Sequence, residues 1–377
     1  MSSLDSSPRH PWPESWRIRS RLIPGIAGFV LALVMQASWR AASDPFQAPA
    51  GDSKVAARSA EQPATPVKGW TQGKGYGWVW GKDDEVGSLN AMTNESRLRA
   101  LGLAKRGEVF DLGVSYSRNS FKWPGHNPGE ILSFRSPEGI DRMNDKDAPP
   151  DEDNTEHFFW HSGALFISDN VATQIDGLAH ITSGKDYHWY NGFTEQQWGG
   201  DFGPRKCDST TIPPIVARGV LIDVAAHRGV DALPAKTVIT AQELRDTLDW
   251  QHTELQPGDV VLIRTGSARF WGEEGADHAS LAAHDSAGID VDAAKWLVEQ
   301  HGAMLIGSDT SGLEAPAPPR TRWVHQYLLV DQGVHIGELH FLEDLSRQQV
   351  REFCYIAMTN KINGAAAGFA MRPIALR

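Results

Sequence analysis

One stretch of this 377-residue chain decides how its fold is interpreted: Asp169-Asn170-Val171-Ala172-Thr173-Gln174-Ile175-Asp176-Gly177-Leu178-Ala179-His180. Successive side chains of a β-strand point to opposite faces of the sheet, so Gln174 and Asp176 are expected to project to one side. His180 can join them if the chain turns through Gly177. Two oxygen donors and a nitrogen base that converge in this way favour a hydrolytic metal site.

A second carboxylate lies in an unusual position near the C-terminus. Glu338 ends the run Val334-His335-Ile336-Gly337-Glu338 and shares a predicted strand face with Val334 and Ile336. A carboxylate on an apolar face is costly unless it is paired or bound to a metal. We therefore predict that Glu338 is a metal ligand; an edge strand with a wet face is the alternative. Asp176 also has an alternative role, as a turn residue that caps Gly177.

The central stretch resembles the signature of the cyclase family, His-x-Gly-Thr-His-x-Asp-x-Pro-x-His. Thr173, Asp176 and His180 match it, whereas the pattern's His, Gly, His and Pro are replaced, in this order, by Asn170, Ala172, Gln174 and Leu178. The family includes kynurenine formamidases, isatin hydrolase and a dienelactone hydrolase. Further segments follow in the family's order between about Trp78 and Arg372: 80–90 (WGKDDEVGSLN), 190–193 (YNGF), 218–223 (RGVLID), 257–266 (PGDVVLIRTG), 307–309 (GSD), 325–329 (HQYLL) and 337–339 (GEL).

The resemblance implies roles for five side chains. Asp176, His325 and Glu338 are expected to hold one divalent ion, Zn²⁺ or Mn²⁺, with the carbonyl oxygen of Gln174 as a fourth ligand. Binuclear members of the family use the two histidines that Gln174 and its neighbour at position 170 replace, so we expect one ion per chain. His180 matches the catalytic histidine, which takes a proton from water and returns it to a leaving group. A structural histidine beside the ligands is the alternative role.

The function that the resemblance implies is hydrolysis of a small-molecule substrate: a cyclic amide, an N-formyl amide or a lactone. Two other classes stay open, namely an isomerase or dehydratase acting on an oxygenated ring, and a non-catalytic exported binding protein. Aromatic side chains crowd both sides of the central stretch. Most are expected in the core or an interface, and some are expected to wall a pocket for a flat or cyclic substrate: Trp123, Phe158, Phe159, Trp160, Trp189 and Trp198.

The expected fold class is α/β (α+β), as the swivelling β/β/α fold of the cyclase family in a single large domain over residues 77–377. Short apolar runs predict strands, and helical periodicity predicts helices. These patterns alternate only in the second half of the chain, which disfavours a doubly wound sheet. The predicted strands are 216–225, 260–265, 303–308 and 334–339, and the predicted helices are 94–103, 241–251, 292–300 and 342–353. Thr240 and Glu243 predict a capping box at the start of the second helix.

Composition and missing motifs disfavour several other functions. The chain is 41% hydrophobic and 22% charged, which is typical of a globular protein. Its net charge of -11 includes no block of Lys or Arg in the body of the chain, which disfavours nucleic acid as a partner. A Gly-x-Ser-x-Gly elbow is missing, which disfavours a serine α/β-hydrolase. The glycine-rich segment 73–77 is followed by Trp-rich sequence where a nucleotide-binding loop needs a helix.

The N-terminal segment predicts export to a periplasm. Three arginines precede an apolar run over 22–37, and Ala41-Ala42-Ser43 offers the small residues of a cleavage site. The predicted domains are therefore a signal peptide over 1–43 and a flexible linker over 44–76, ahead of the catalytic domain. Because the run is shorter than the ~20 residues of a membrane span, we expect no stable membrane association after cleavage. An uncleaved N-terminal anchor is the alternative.

Two further properties follow from residue counts. The chain has 14 Trp residues, and aromatic excess of this kind is common in interface cores, so with the family resemblance it predicts a homodimer or a larger homo-oligomer. Cys207 and Cys354 are the two cysteines, and an exported protein permits a disulfide. Both a bridge and a buried free pair stay open.

Overall fold

The computed structural model describes residues 69–122, 129–143, 152–272, 277–284, 287–316 and 322–377. The predicted signal peptide, most of the predicted linker and Trp123 lie outside these ranges. The described residues belong to one compact unit, Pro63–Arg377. Within these ranges, each helix is too short or too polar to cross a membrane.

The strands lie mainly in one large sheet. Their bounds in chain order are β1 (Val109–Asp111), β2 (Gly129–Arg135), β3 (Ser162–Ile167), β4 (Gln174–Asp176), β5 (Ile215–Asp223), β6 (Val238–Ile239), β7 (Val260–Arg264), β8 (Gly288–Ile289), β9 (Leu305–Ser308), β10 (His335–Glu338), β11 (Glu352–Ala357), β12 (Phe369–Ala370) and β13 (Ile374–Leu376). The nine-stranded sheet has the order β1-β13-β11-β5-β7-β9-β10-β4-β12, while β2 pairs with β3 and β6 pairs with β8.

The helices are short. They are α1 (Asn94–Leu101), α2 (Pro137–Met143), α3 (Glu195–Trp198), α4 (Val224–His227), α5 (Ala241–Gln251), α6 (His278–His284), α7 (Val291–Lys295) and α8 (Glu343–Arg347). Single 3₁₀ turns cover Gly87–Ala91, Tyr190–Gly192, Ser209–Thr211 and Ser267–Phe270. Two segments, Trp296–Gln300 and Gln326–Gln332, are π-helical.

The centre of the sheet is parallel and largely buried. Strands β5, β7, β9 and β10 run parallel to one another, and all five residues of β7 are buried. Continuous Val, Ile and Leu runs suit strands that are covered on both faces. All four predicted strands are present here; β5 begins one residue before its predicted start, and the other observed ends differ by at most two residues.

The predicted helices agree with the structure except for the last. Helix α5 has the predicted bounds, and the Thr240 hydroxyl accepts from the Glu243 N–H group at 3.3 Å. The Glu243 carboxylate binds Arg228 at 2.8 Å, so only half of the expected capping box forms. The prediction of a helix over 342–353 is wrong: α8 ends at Arg347, and Gln349 adopts a positive φ of 54°. The chain then pairs as β11 with β5 and β13, because ladder hydrogen bonds override a weak helical preference.

Folded structure begins before the predicted domain boundary at residue 77. The Trp70 indole donates to the Val298 carbonyl at 2.7 Å, and the Tyr76 hydroxyl donates to the Gly302 carbonyl at 2.6 Å. Tyr76 is fully buried. The last residues of the predicted linker therefore pack against the domain.

Candidate active site

Two antiparallel strands bring the carboxylates of the site together. In the pairing of β4 with β10, Gln174 lies opposite Glu338 and Asp176 lies opposite Ile336. Residues that are directly opposite, or two apart on one strand, share a sheet face. Gln174, Asp176 and Glu338 therefore project to the same side, as the sequence pattern predicted for the first two.

His325 completes a buried cluster with these carboxylates. It stands immediately before the π-helical segment Gln326–Gln332. One ligand atom each from Asp176, His325 and Glu338 lies within 4.8 Å of the other two. Nε2 of His325 is 3.5 Å from Asp176 Oδ2 and 3.5 Å from Glu338 Oε1. All three residues are buried, so the structure brings together the three ligands proposed from the sequence.

Gln174 contacts the cluster through its amide nitrogen. Nε2 donates to Glu338 Oε2 at 2.7 Å, to Asn170 Oδ1, and more weakly to Asp176 Oδ1 at 3.5 Å. An amide nitrogen is a donor and cannot ligate a cation, so a role as a fourth metal ligand requires the opposite amide orientation. In the orientation seen, Gln174 and Asn170 form a hydrogen-bonded pair at the two positions where the family signature has histidines.

The charge of the cluster fits a bound cation. Burial would raise the pKa of Asp176, but the nearby imidazoles of His180 and His325 hold that pKa below its usual range. Burial would lower the pKa of His325, but its contacts with Asp176, Glu314 and Glu338 raise that pKa well above its usual value. These three carboxylates together attract positive charge strongly enough to favour a protonated imidazole. A divalent ion would satisfy the same demand.

The carboxylate oxygen Oδ2 of Asp176 lacks a partner that a bound cation or a further hydrogen-bond donor would supply. Asp176 is completely buried, and its Oδ2 has no hydrogen-bond partner among the described residues. The 3.5 Å to His325 Nε2 is an ion-pair distance and is long for a hydrogen bond. Buried polar atoms are almost always paired, so this oxygen supports a missing ligand at this point. The donor set of two carboxylates and one imidazole fits Zn²⁺ and Mn²⁺ alike.

The strand ends that carry these residues have unusual backbone conformations. Ala172, just before β4, has a φ of 54°, and Leu339, just after β10, has a φ of 49°. Non-glycine residues rarely adopt positive φ, and such conformations cluster at functional sites. The Thr173 hydroxyl holds the two ends together by donating to the Leu339 carbonyl at 2.6 Å.

His180 lies close to the cluster and is half-buried. Its ring centroid is 6.3 Å from that of His325. Its backbone N–H donates to the Gly177 carbonyl at 3.0 Å, which forms the turn that the sequence predicted. His180 therefore lies near the ligands without belonging to the three-residue cluster.

A narrow cavity opens beside Gln174 and Glu338. Its described lining is Phe121, Lys122, Asn170, Val171, Ala172, Gln174, Ser311, Glu338 and Leu339, and does not include His180. Of the aromatic side chains expected to wall a pocket, those that the structure describes are not part of this lining: Trp189, for example, is fully buried, and Phe158 is 63% exposed. Lys122 and Phe121 were missed because they precede the site by some fifty residues and carry no local pattern.

Sequence interpretation also missed Glu314, which contacts the far side of His325. Its Oε1 lies 2.9 Å from His325 Nδ1. The only sequence signal was an acidic residue in the Pro-rich segment that precedes His325 in the chain.

Of the two alternatives for the cysteines, the structure shows the free pair. Cys207 and Cys354 are both buried and are not bonded to each other.

Comparison with known proteins decides the family. The family model described as "Putative cyclase" matches residues 110–315, which is more than half of the chain. This chain belongs to the cyclase family. No curated protein matches it significantly. The family and the mixed α/β fold predicted from the sequence are thus confirmed.

Solved cyclase-like structures share the fold. A crystal structure described as a novel cyclase is 28% identical, with a TM-score of 0.68 over 79% of this chain and 96% of that chain. Isatin hydrolase A from Ralstonia solanacearum is 22% identical, with a TM-score of 0.53 over 75% and 97% of the two chains. An isatin hydrolase bound to the product analogue thioisatinate is 21% identical, with a TM-score of 0.53 over 76% and 99%. At the identities of the two isatin hydrolases, the likeness concerns the fold.

Proposed function

We propose that this cyclase-family protein is a metal-dependent hydrolase whose substrate is a small cyclic amide, an N-formyl amide or a lactone. The observation that carries the proposal is the buried cluster of Asp176, His325 and Glu338, in which Asp176 Oδ2 has no hydrogen-bond partner among the described residues. Two of the structurally similar proteins are isatin hydrolases, which supports a cyclic amide as one substrate class.

The three side chains of the cluster would hold one divalent ion, Zn²⁺ or Mn²⁺. When bound, such an ion supplies a water that ionises near neutral pH and a Lewis acid for the substrate carbonyl. Gln174 keeps the Glu338 carboxylate turned into the cluster by donating to Oε2. His335 fixes the strand behind Asp176, because its Nδ1 lies 2.8 Å from the Asp176 carbonyl oxygen.

His180 supplies the proton transfer in this proposal. A hydrolysis of this kind needs one group that removes a proton from water and delivers it to the departing nitrogen or oxygen. His180 stands beside the cluster, is open to solvent in part, and is separate from the three ligands. An imidazole can exchange protons near neutral pH, which suits both halves of the task.

Metal analysis and a substrate panel test the proposal together. We expect the purified protein to contain one ion per chain and to hydrolyse at least one member of a panel of lactones, cyclic amides and N-formyl amides. Chelation should abolish that activity, and added Zn²⁺ or Mn²⁺ should restore it. A chelated, metal-free protein that retains full activity would contradict the metal-dependent mechanism, and two ions per chain would contradict the single-ion site.

We also propose, from the sequence alone, that the mature protein is exported to the periplasm and forms a homodimer or larger homo-oligomer. The arginines and the apolar run over 22–37 support export, and the 14 Trp residues support assembly. An intact-mass measurement on protein recovered from the periplasm tests cleavage after about residue 43. An unprocessed chain in the membrane fraction would favour the anchored alternative.

A further inference from the structure

Glu314 hydrogen-bonds to His325 at Nδ1, the ring nitrogen on the side away from Asp176 and Glu338. Its Oε1 is 2.9 Å from His325 Nδ1, and its Oε2 accepts from the Val324 N–H group at 2.6 Å. The backbone N–H group of His325 makes a longer contact with the same oxygen, Oε2, at 3.4 Å. One carboxylate thus binds both the imidazole and the backbone that carries it.

We propose that Glu314 is a positioning residue that makes His325 a metal ligand through Nε2; this inference rests on the function proposed above. A carboxylate accepts hydrogen bonds and cannot donate them, so the nitrogen that faces Glu314 must carry the proton. A neutral imidazole has one N–H and one lone pair. With the proton on Nδ1, the lone pair is on Nε2, which faces Asp176 and Glu338.

Backbone hydrogen bonds on both sides of Glu314 fix the position of the loop that carries it. Leu313 has a positive φ of 56°, and its N–H group donates to the Thr310 hydroxyl at 3.1 Å. On both sides of Glu314 the backbone pairs with Ile289: the Ile289 N–H donates to Leu313 at 3.0 Å, and the Ala315 N–H donates to Ile289 at 3.0 Å. Residues that orient a functional side chain act well only when their own position is fixed.

The backbones of Gly288 and Leu313 also approach each other closely in this loop. A Cβ atom added to Gly288 would lie 2.1 Å from the Leu313 carbonyl oxygen, so glycine is the residue that allows the loop to pair here. The side chain of Glu314 is 14% exposed and that of His325 is 11% exposed. A carboxylate buried to this extent is costly unless it is paired, and its partners are the imidazole and the backbone N–H groups.

The test compares Glu314→Ala and Glu314→Gln with the matched control Glu299→Gln. The Glu299 carboxylate accepts at 2.9 Å from the hydroxyl of Tyr327, which lies in the π-helical segment that follows His325. Affinity for Zn²⁺ is measured by competition with a chromogenic chelator. Loss of a group that orients a metal ligand typically costs ~10–100-fold in affinity, and we expect a fall in this range for Glu314→Ala.

The glutamine variant should fall between the alanine variant and the wild type. Its carbonyl oxygen can accept from His325 Nδ1–H, but its NH₂ group then faces the Val324 N–H group, donor against donor. The Glu299→Gln control should bind Zn²⁺ like the wild type. Nitrogen-15 imidazole spectra of the Zn²⁺-loaded wild type should show the proton of His325 on Nδ1, a feature that a purely structural role for Glu314 would not require.

Two outcomes would overturn the positioning role. One is wild-type Zn²⁺ affinity in both Glu314 variants, and the other is a Zn²⁺-loaded spectrum with His325 protonated on Nε2. In both outcomes the wild-type chain still binds Zn²⁺. A wild-type chain that binds no Zn²⁺ or Mn²⁺ would instead overturn the proposed function, so the two failures are distinguishable.

Discussion

Replacing Asp176 by Asn should have a small effect on the metal-free protein and a large effect on the metal-bound protein. Asparagine has nearly the same shape as aspartate, and it removes one of two buried negative charges. Without metal, the variant loses a charge that the neighbouring imidazoles hold in the ionised form. With metal, it also loses a ligand. The same substitution should therefore lower the stability of the chelated protein slightly, and abolish the stability that metal supplies.

The distances in the cluster set the size of the effect. At an effective dielectric constant of about 20, unit charges 3.5 Å apart attract by about 5 kcal/mol, and like charges within 4.8 Å of each other repel by at least about 3.5 kcal/mol. Losing the attraction to a protonated His325 is thus largely offset by losing the repulsion from Glu338. Burial of a carboxylate costs several kcal/mol, but the neighbouring imidazoles outweigh this cost, since they hold the pKa of Asp176 below its usual range. We expect the chelated variant to lose about 1–2 kcal/mol.

The assay is denaturant unfolding in excess chelator and in excess Zn²⁺ or Mn²⁺. At a metal concentration one hundred times Kd, the wild type should gain about 2.7 kcal/mol and Asp176→Asn should gain nothing. Asp169→Asn is the matched control, because its carboxylate accepts from the Ala366 and Ala367 N–H groups at 3.0 and 3.2 Å. The control should lose stability in both conditions and keep the metal gain. Strong destabilisation of Asp176→Asn in chelator would refute the reasoning, since it would make the cluster a structural ion network.

Three other predictions concern the base, the metal count and assembly. His180→Ala should keep its metal, lose ~10²–10⁴ in kcat and change KM much less, as steady-state kinetics and metal analysis would show; a metal-free variant would make His180 a ligand. Asn170→His combined with Gln174→His restores the family's histidines, and should raise the metal content from one ion to two; unchanged content would break the link between these positions and the missing ion. Light scattering should give the mass of a dimer or larger at micromolar concentration, and a monomer mass would contradict the assembly prediction.

The regular parts of the fold could be predicted because their local pattern and their environment agree. Strands such as β7 are continuous apolar runs, and the parallel centre of the sheet buries both their faces. Helix α5 carries its own start signal in Thr240. The segment after α8 could not be predicted, because its strand conformation depends on pairing with β5, more than a hundred residues earlier in the chain.

Side chains of the site that lie on one strand could be predicted from the sequence, whereas contacts between side chains of different elements could not. Alternation within β4 placed Gln174 and Asp176 on one face. Family resemblance then added His325 and Glu338. The orientation of the Gln174 amide depends on Asn170 and Glu338, and no local pattern encodes it. Glu314 escaped notice for the same reason, since its role appears only where its loop meets the start of a π-helical segment.

Anomalous diffraction from a crystal of the metal-loaded protein tests the central claim most directly. Data collected at the absorption edge of zinc or manganese locate the ion without reference to the protein atoms. We expect one anomalous peak per chain, within bonding distance of Asp176 Oδ2, Glu338 Oε1 and His325 Nε2. A protein that binds metal in solution but places its peak away from these three atoms would contradict the account.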